Sequence, residues 1–283
     1  GVRGALNISG QSIAEQRFLT FGAGTAGMRI VKMLYNELIK QGMSPKEAKQ
    51  HFYLVDRQGL LFENTPGLTP KQQAFVRSRD EFADAGELTD LPAIIKAVQP
   101  TVMIGTSTVH NAFTEAAIKE MAKHADRPII FPISNPTEKI EATPADLIKW
   151  TNGKALVATG IPSATVAYQG IDYQIGQANN ALIYPGVGFG ALAVNARIIN
   201  DEMLAAAAHA LGGLVDVKAP GAPVLPPVSQ LTDFSKQVAI AVAQSAIDQG
   251  LAQTDLSAEQ AVAAMHWQPE YQPFDELLAN YSK

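Results

Sequence analysis

Apolar and polar positions fall into blocks along the first 160 residues, where short continuous apolar runs alternate with stretches whose apolar residues recur three and four apart. The runs at 17–21, 51–56, 101–105, 128–133 and 154–159 predict buried strands. Helical spacing falls at 2–8, 25–40, 70–77, 91–98, 114–124 and 144–150. Local signals mark several ends. Gly42 closes 25–40, Ser44-Pro45-Lys46-Glu47 reads as a cap and first turn, Asp90 caps 91–98, and Thr143-Pro144 starts 144–150. Strands separated by helices predict a parallel sheet covered on both faces.

Past Gly160 the pattern changes. Two short alternating segments around Gln169-Gly170 predict a hairpin over 166–175 at the edge of the sheet. Pro185, Gly186, Gly188 and Gly190 read as punctuation before a helix at 191–199, and Asp201 as the N-cap of an alanine-rich helix ending at Gly212-Gly213. A proline-rich loop at 219–227 then precedes a long helix at 232–250 and a terminal one at 257–267. The fold expected is α/β and Rossmann-type, a doubly wound, mostly parallel sheet over 1–200 with its edge hairpin. A helical C-terminal extension over 201–283 packs back on it, and the 283 residues form one domain.

The first strand runs directly into Gly22-Ala23-Gly24-Thr25-Ala26-Gly27, a G-x-G-x-x-G turn with a helix after it and a second strand ending in Asp56. Gly22 permits the tight turn, Gly24 lets a pyrophosphate approach the backbone, and Gly27 lets the helix pack closely on the strand. The free N–H groups and the positive helix end then make a phosphate site. Asp56 would accept hydrogen bonds from the adenosine ribose and repel a 2′-phosphate, favouring NAD over NADP, with Arg57 as a possible offset. The alternative is a glycine-rich helix entry that binds nothing.

Charge and composition exclude more than they select. Net charge is −5 with a sequence pI near 5.6, and no basic patch is interleaved with aromatics, so nucleic acid is not an expected partner. No cysteine is present, no apolar run reaches membrane-spanning length, and the start has no signal-peptide layout. A cytoplasmic protein is expected. The chain opens on Gly1 inside a helical pattern, so a piece of something longer is expected too.

Ligands of such a sheet bind beyond the carboxyl ends of the strands, which directs attention to the loops at 22–27, 56–57, 106–111 and 134–137. In Ser134-Asn135-Pro136 the proline fixes the turn and leaves the Asn135 amide to hydrogen-bond a carboxamide or carboxylate, or the segment is an ordinary turn. Gln177-Ala178-Asn179-Asn180 could read a small polar substrate or tie down a loop. Of His51, His110, His124, His209 and His266, only His110 lies where a general base could reach a nicotinamide-bound substrate. No metal-ligand spacing and no nucleophile elbow occurs.

Phe21-Gly22-Ala23-Gly24-Thr25-Ala26-Gly27, Val55-Asp56-Arg57-Gln58-Gly59-Leu60, Pro132-Ile133-Ser134-Asn135-Pro136-Thr137, Ala158-Thr159-Gly160 and Tyr184-Pro185-Gly186-Val187-Gly188, in order along nearly the whole chain, resemble the NAD-binding C-terminal domain of the malic enzyme family. Gly160-Ile161-Pro162, residues 175–184 and Pro223-Val224-Leu225-Pro226-Pro227 are most similar to its malolactic branch, which converts L-malate to L-lactate and carbon dioxide. The resemblance implies a cofactor set of Gly22, Ala23, Gly24, Thr25, Ala26, Gly27, Asp56 and Arg57. It puts Thr106 and Ser107 along the nicotinamide-ribose side, and Asn135 and Asn179 against nicotinamide and malate. The family usually has glycine where Asn111 stands; asparagine is the next-best residue for a left-handed backbone.

His110 has no role in the family, and the resemblance withdraws it as a base. The family's acid and base, a Tyr and a Lys, and its acidic ligands for Mn or Mg lie in a preceding domain, so no catalytic or metal residue is expected in this chain. That domain, L-malate and further copies in a homo-oligomer are the implied partners. The implied chemistry is hydride transfer from C2 of malate, metal-assisted decarboxylation, then release of pyruvate and NADH or return of the hydride to give lactate. A stand-alone NAD-binding regulatory module and, more distantly, an amino-acid dehydrogenase are the competing readings.

Overall fold

The computed structural model describes residues 1–266. The chain opens with α1 (Val2–Ser9) and enters the sheet at β1 (Phe18–Phe21), followed by α2 (Thr25–Lys40), α3 (Pro45–Lys49), β2 (Phe52–Asp56) and β3 (Gly59–Leu60). Next come α4 (Pro70–Gln73), α5 (Leu91–Val98), β4 (Val102–Gly105), α6 (Glu115–Met121), β5 (Ile129–Pro132), α7 (Pro144–Trp150) and β6 (Leu156–Thr159). A hairpin, β7 (Val166–Tyr168) and β8 (Ile171–Tyr173), precedes the two-residue β9 (Gly176–Gln177). The remaining helices are α8 (Tyr184–Ala193), α9 (Asp201–Gly213), α10 (Leu231–Asp248) and α11 (Ala258–Met265).

Seven strands form one sheet in the order β3-β2-β1-β4-β5-β6-β9, parallel throughout except for β3, which runs antiparallel to β2. Successive side chains of a strand point to opposite faces, so register decides which core each residue joins. Phe18, Phe52, Val102 and Ile129 lie side by side across the sheet and enter one core, beneath α1, α2 and the four C-terminal helices; the Phe18 and Phe52 rings stack 5.2 Å apart. Leu19, Tyr53, Met103 and Ile130, one residue on, enter the other core beneath α5, α6 and α7. With helices on both faces, the strands carry apolar residues on both, which is why they read as unbroken runs.

The doubly wound, mostly parallel sheet is the one the sequence predicts, with differences in its second half. The 166–175 hairpin does not extend the sheet: β7 and β8 pair only with each other, and the edge belongs to β9, alongside β6. Gly186, Gly188 and Gly190 do not punctuate the chain but lie inside α8, which spans Tyr184–Ala193 rather than 191–199. The physical reason is close helix packing. A methyl at Gly190 would stand 2.3 Å from the Ala239 carbonyl oxygen of α10, and one at Gly186 2.6 Å from the Val238 side chain. The cap of α9 is Asn200, whose side chain accepts from the Met203 N–H (3.1 Å), with Asp201 as first helical residue. Asp90 occupies the N-cap of α5 without a side-chain cap bond. Residues 70–77 contract to the single turn of α4, and residues 267–283, the end of the expected extension, lie outside the described residues.

Candidate functional site

From β1 the chain builds outward to β2 and then returns to the other side of β1 as β4, so the two halves of the sheet diverge at the carboxyl ends of β1 and β4. The turn after β1 sits at this switch point. Gly22 has φ of +102°, a conformation L side chains rarely adopt, and a methyl there would stand 2.6 Å from the Ser107 backbone nitrogen. Gly27 is equally confined, 2.3 Å from the Gly22 carbonyl oxygen, whereas a methyl on Gly24 would meet nothing within 4 Å. Two of the three glycines are therefore required by packing, and the third faces open space. Ala23 is buried, with its carbonyl oxygen accepting from Gln72 Nε2 (2.9 Å), while Thr25 and Ala26 are exposed.

α2 starts at Gly24 with no side-chain cap and no acidic residue in its first turn. By contrast α3, α4 and α11 begin with complete capping boxes. The first-turn N–H groups of the longest helix at this edge are thus left facing outward at the positive end of its dipole, beside the open face of Gly24. Asp56 ends the neighbouring β2 half-buried, one oxygen accepting from the Arg57 N–H (2.9 Å), and the Arg57 side chain is exposed.

On the other side of the switch point, Thr106 donates its hydroxyl to the Gly22 carbonyl oxygen (2.6 Å), tying the loop after β4 to the glycine turn. The Ser107 hydroxyl is also committed. It donates to Glu141 Oε1 (2.9 Å), the Ser107 N–H donates to the same oxygen (2.9 Å), and the Val109 N–H donates back to Ser107 Oγ (3.1 Å). Ser134, after β5, repeats the arrangement: its hydroxyl donates to Glu141 Oε1 (2.5 Å), and it accepts from the Thr108 N–H (2.9 Å). Thr108 and Asn111 both have positive φ, 60° and 54°, so the 106–113 loop holds two non-glycine residues in left-handed backbone.

Asn135 is exposed at the carboxyl end of β5, joined to Pro136 by a cis peptide bond. A methyl at Gly160, which follows β6, would fall 2.9 Å from Asn135 Nδ2, so the bare glycine makes room for that amide. Asn179 follows β9; its Oδ1 accepts from the Ala181 N–H (2.9 Å). The Ala178 N–H donates to the Thr159 carbonyl oxygen (2.7 Å), seating this segment beside the end of β6. Gly22, Gly24, Asp56, Thr106, Ser107, Asn135 and Asn179 therefore all stand along one edge of one sheet.

Three histidines are engaged elsewhere: His51 with the Gln16 carbonyl oxygen at the start of β2 (2.7 Å), His124 with Glu120 (3.3 Å) and His209 with Glu37 (3.1 Å). His110 is exposed in the 106–113 loop, and His266 follows α11. Among the described residues no group of three or more His, Asp or Glu is arranged to hold a metal, and no helix is long and apolar enough to cross a membrane. Sequence reasoning passed over Glu141. Its only signal is a lone Glu between Ile140 and Ala142, and nothing local shows that the fold buries it under two serines seven and 34 residues away.

A glycine turn at the switch point of a doubly wound sheet, opposite an uncapped helix start, defines a dinucleotide-binding α/β domain. The chain belongs to the malic enzyme family: residues 1–247 match its NAD-binding domain. It is 61% identical over 272 residues to a malolactic enzyme from Lactiplantibacillus plantarum, covering 96% of this chain and 50% of that protein. It is 44% identical over 267 residues to NAD-dependent malic enzyme 3 from Bacillus subtilis, covering 92% and 47%. The crystal structure of Entamoeba histolytica malic enzyme superposes on 93% of the chain and 49% of its own length with a TM-score of 0.71 at 24% identity, a likeness of fold. The chain spans about half the length of the curated relatives it matches.

Proposed function

We propose that this chain is the NAD-binding part of an enzyme of the malolactic kind, which converts L-malate to L-lactate and carbon dioxide. The observation that carries this reading is the identity to malolactic enzymes, 61% and 57% for two of them, against 44% for an NAD-dependent malic enzyme, each over more than nine-tenths of the chain.

The residues fit the cofactor. The open face of Gly24 and the uncapped start of α2 leave a cradle for a pyrophosphate between Gly22 and Gly27, with the exposed Thr25 and Ala26 on its rim and Ala23 beneath it. Asp56 receives the adenosine ribose with Arg57 at its flank. On this reading the nicotinamide half extends across the ends of β4 and β5, along the loop that Thr106 and Ser107 anchor. When bound, NAD supplies the acceptor for the hydride of malate C2. Asn135 and Asn179 orient the substrate carboxylates and the carboxamide through their side-chain amides.

No residue of this chain is assigned as acid, base or metal ligand. Mn or Mg, a preceding domain and a cytoplasmic homo-oligomer belong to the same reading. The experiment supplies L-malate, NAD and Mn to the full-length protein and analyses products. Lactate without net NADH is expected. Pyruvate with equal NADH makes it an NAD-dependent malic enzyme, and no consumption of malate removes the assignment.

A further inference from the structure

Glu141 is the one charged side chain fully buried among the described residues, and none of the Lys, Arg or His side chains there pairs with it. Burial of a carboxylate without a cation carries a large desolvation penalty unless hydrogen bonds replace the lost water. Here they do. Oε1 accepts from the Ser107 N–H, the Ser107 hydroxyl and the Ser134 hydroxyl, and the Ser134 N–H reaches Oε2 at 3.4 Å. Both hydroxyls have a lone pair occupied by a backbone N–H, of Val109 and Thr108, so their protons are directed at the carboxylate. Room for it comes from Gly105, where a methyl would stand 2.6 Å from Glu141 Cδ.

The backbone of the same segment completes the clamp: the Ile140 and Glu141 carbonyl oxygens accept from the Asn111 and Phe113 N–H groups (3.0 and 2.9 Å). One buried side chain thus fixes the loop after β4, including Thr108 with its φ of 60°, to the loop after β5 that carries Asn135. Two apolar side chains could join these loops at lower desolvation cost; what charge-assisted hydrogen bonds add is fixed geometry. In a doubly wound sheet the adenosine half of a dinucleotide lies over the β2 side of the switch point, and the other half over the β4 and β5 side.

We propose that Glu141 is a positioning residue for the nicotinamide half of the cofactor. It sets the two loops that meet that half, while the glycine turn and Asp56 hold the adenosine diphosphate half independently. The proposal rests on the NAD reading above, and its test separates the two. Binding of NAD and of ADP, which ends at the diphosphate and lacks the whole nicotinamide riboside, is measured on the full-length protein and on Glu141→Gln.

Replacing one oxygen by an amide removes the charge that strengthens all of these bonds and, at the Oε2 position, sets an N–H against the Ser134 N–H. NAD affinity is expected to fall about tenfold or more while ADP affinity changes by less than about twofold. Ser134→Ala removes one of the links without altering Glu141, and should give the same selective loss at smaller size. It also keeps the question open to experiment if Glu141→Gln does not fold. Equal losses for both probes make Glu141 a general structural residue and overturn the proposal, as does unchanged NAD affinity in Ser134→Ala. Wild-type protein that binds neither probe overturns the cofactor reading itself, and the proposal with it.

Discussion

Asp56 ends β2 at the carboxyl edge of the sheet, with one carboxylate oxygen accepting from the Arg57 N–H (2.9 Å), which restricts its rotamer. A fixed carboxylate accepts from a ribose diol and repels a 2′-phosphate, so removing it costs NAD a hydrogen bond and relieves NADP of a repulsion. Asp56→Ala should narrow the NAD to NADP ratio of kcat/KM by about tenfold or more, read from steady-state kinetics with each cofactor. An unchanged ratio would transfer discrimination to another residue. Asn135 predicts the opposite division. Its amide stands over the bare face of Gly160, away from the glycine turn, so Asn135→Ala should lower malate turnover by about a hundredfold with NAD affinity within about threefold. Equal losses would remove its substrate role. The glycine turn and the strand end at Asp56 were legible in the sequence because their signals are local: one turn, one helix start, one strand end. Glu141 was not. Its partners come from strand ends that only the parallel topology brings together, and the same network takes up the Ser107 hydroxyl.

Elements were legible where one signal decided them. α3 begins with the expected Ser44 cap and Glu47 return, and β1, β2 and β4 are buried on both faces as their unbroken apolar runs imply. α8 was misread because glycine has two meanings: it ends helices where the backbone turns, and it permits helices to touch where a side chain would not fit. Gly186 and Gly190, four apart, face α10, while a methyl on Gly188 would meet nothing within 4 Å. The helix itself therefore offers a control. Gly190→Ala should destabilise the fold by about 1–3 kcal/mol, since the Ala239 carbonyl oxygen of α10 cannot move aside as a flexible side chain would. Gly188→Ala should be neutral or stabilise by up to about 1 kcal/mol through helix propensity. Denaturant unfolding of both variants decides it, and similar effects would mean that α8 does not sit on α10 through this face. β9 lies beyond sequence reasoning for another reason: two residues paired with β6 alone carry no periodicity.

At the scale of the whole molecule, two cores lock seven strands from both faces, and the chemistry is confined to one edge that the cores support without filling. Stability and ligand binding should therefore separate at a residue that faces the edge but packs against nothing. Gly24 is that residue. Its φ of −74° suits any L-amino acid, and an added methyl meets no atom of the protein within 4 Å. Gly24→Ala should consequently unfold within about 0.5 kcal/mol of wild type when no ligand is present. A dinucleotide that binds only the native state stabilises wild type by about 2.7 kcal/mol at a hundredfold excess over Kd. In Gly24→Ala the methyl occupies the space of a phosphate, and this rise should be largely lost for NAD and for ADP-ribose alike. Gly27→Ala is the counterpart, since its methyl would meet the Gly22 carbonyl oxygen at 2.3 Å and should weaken the fold before any ligand is added. The measurement is the unfolding midpoint of the three proteins against NAD concentration. Should Gly24→Ala keep the full NAD-dependent rise, the pyrophosphate does not lie at this turn, and the site would have to be rebuilt from the loops beyond β4.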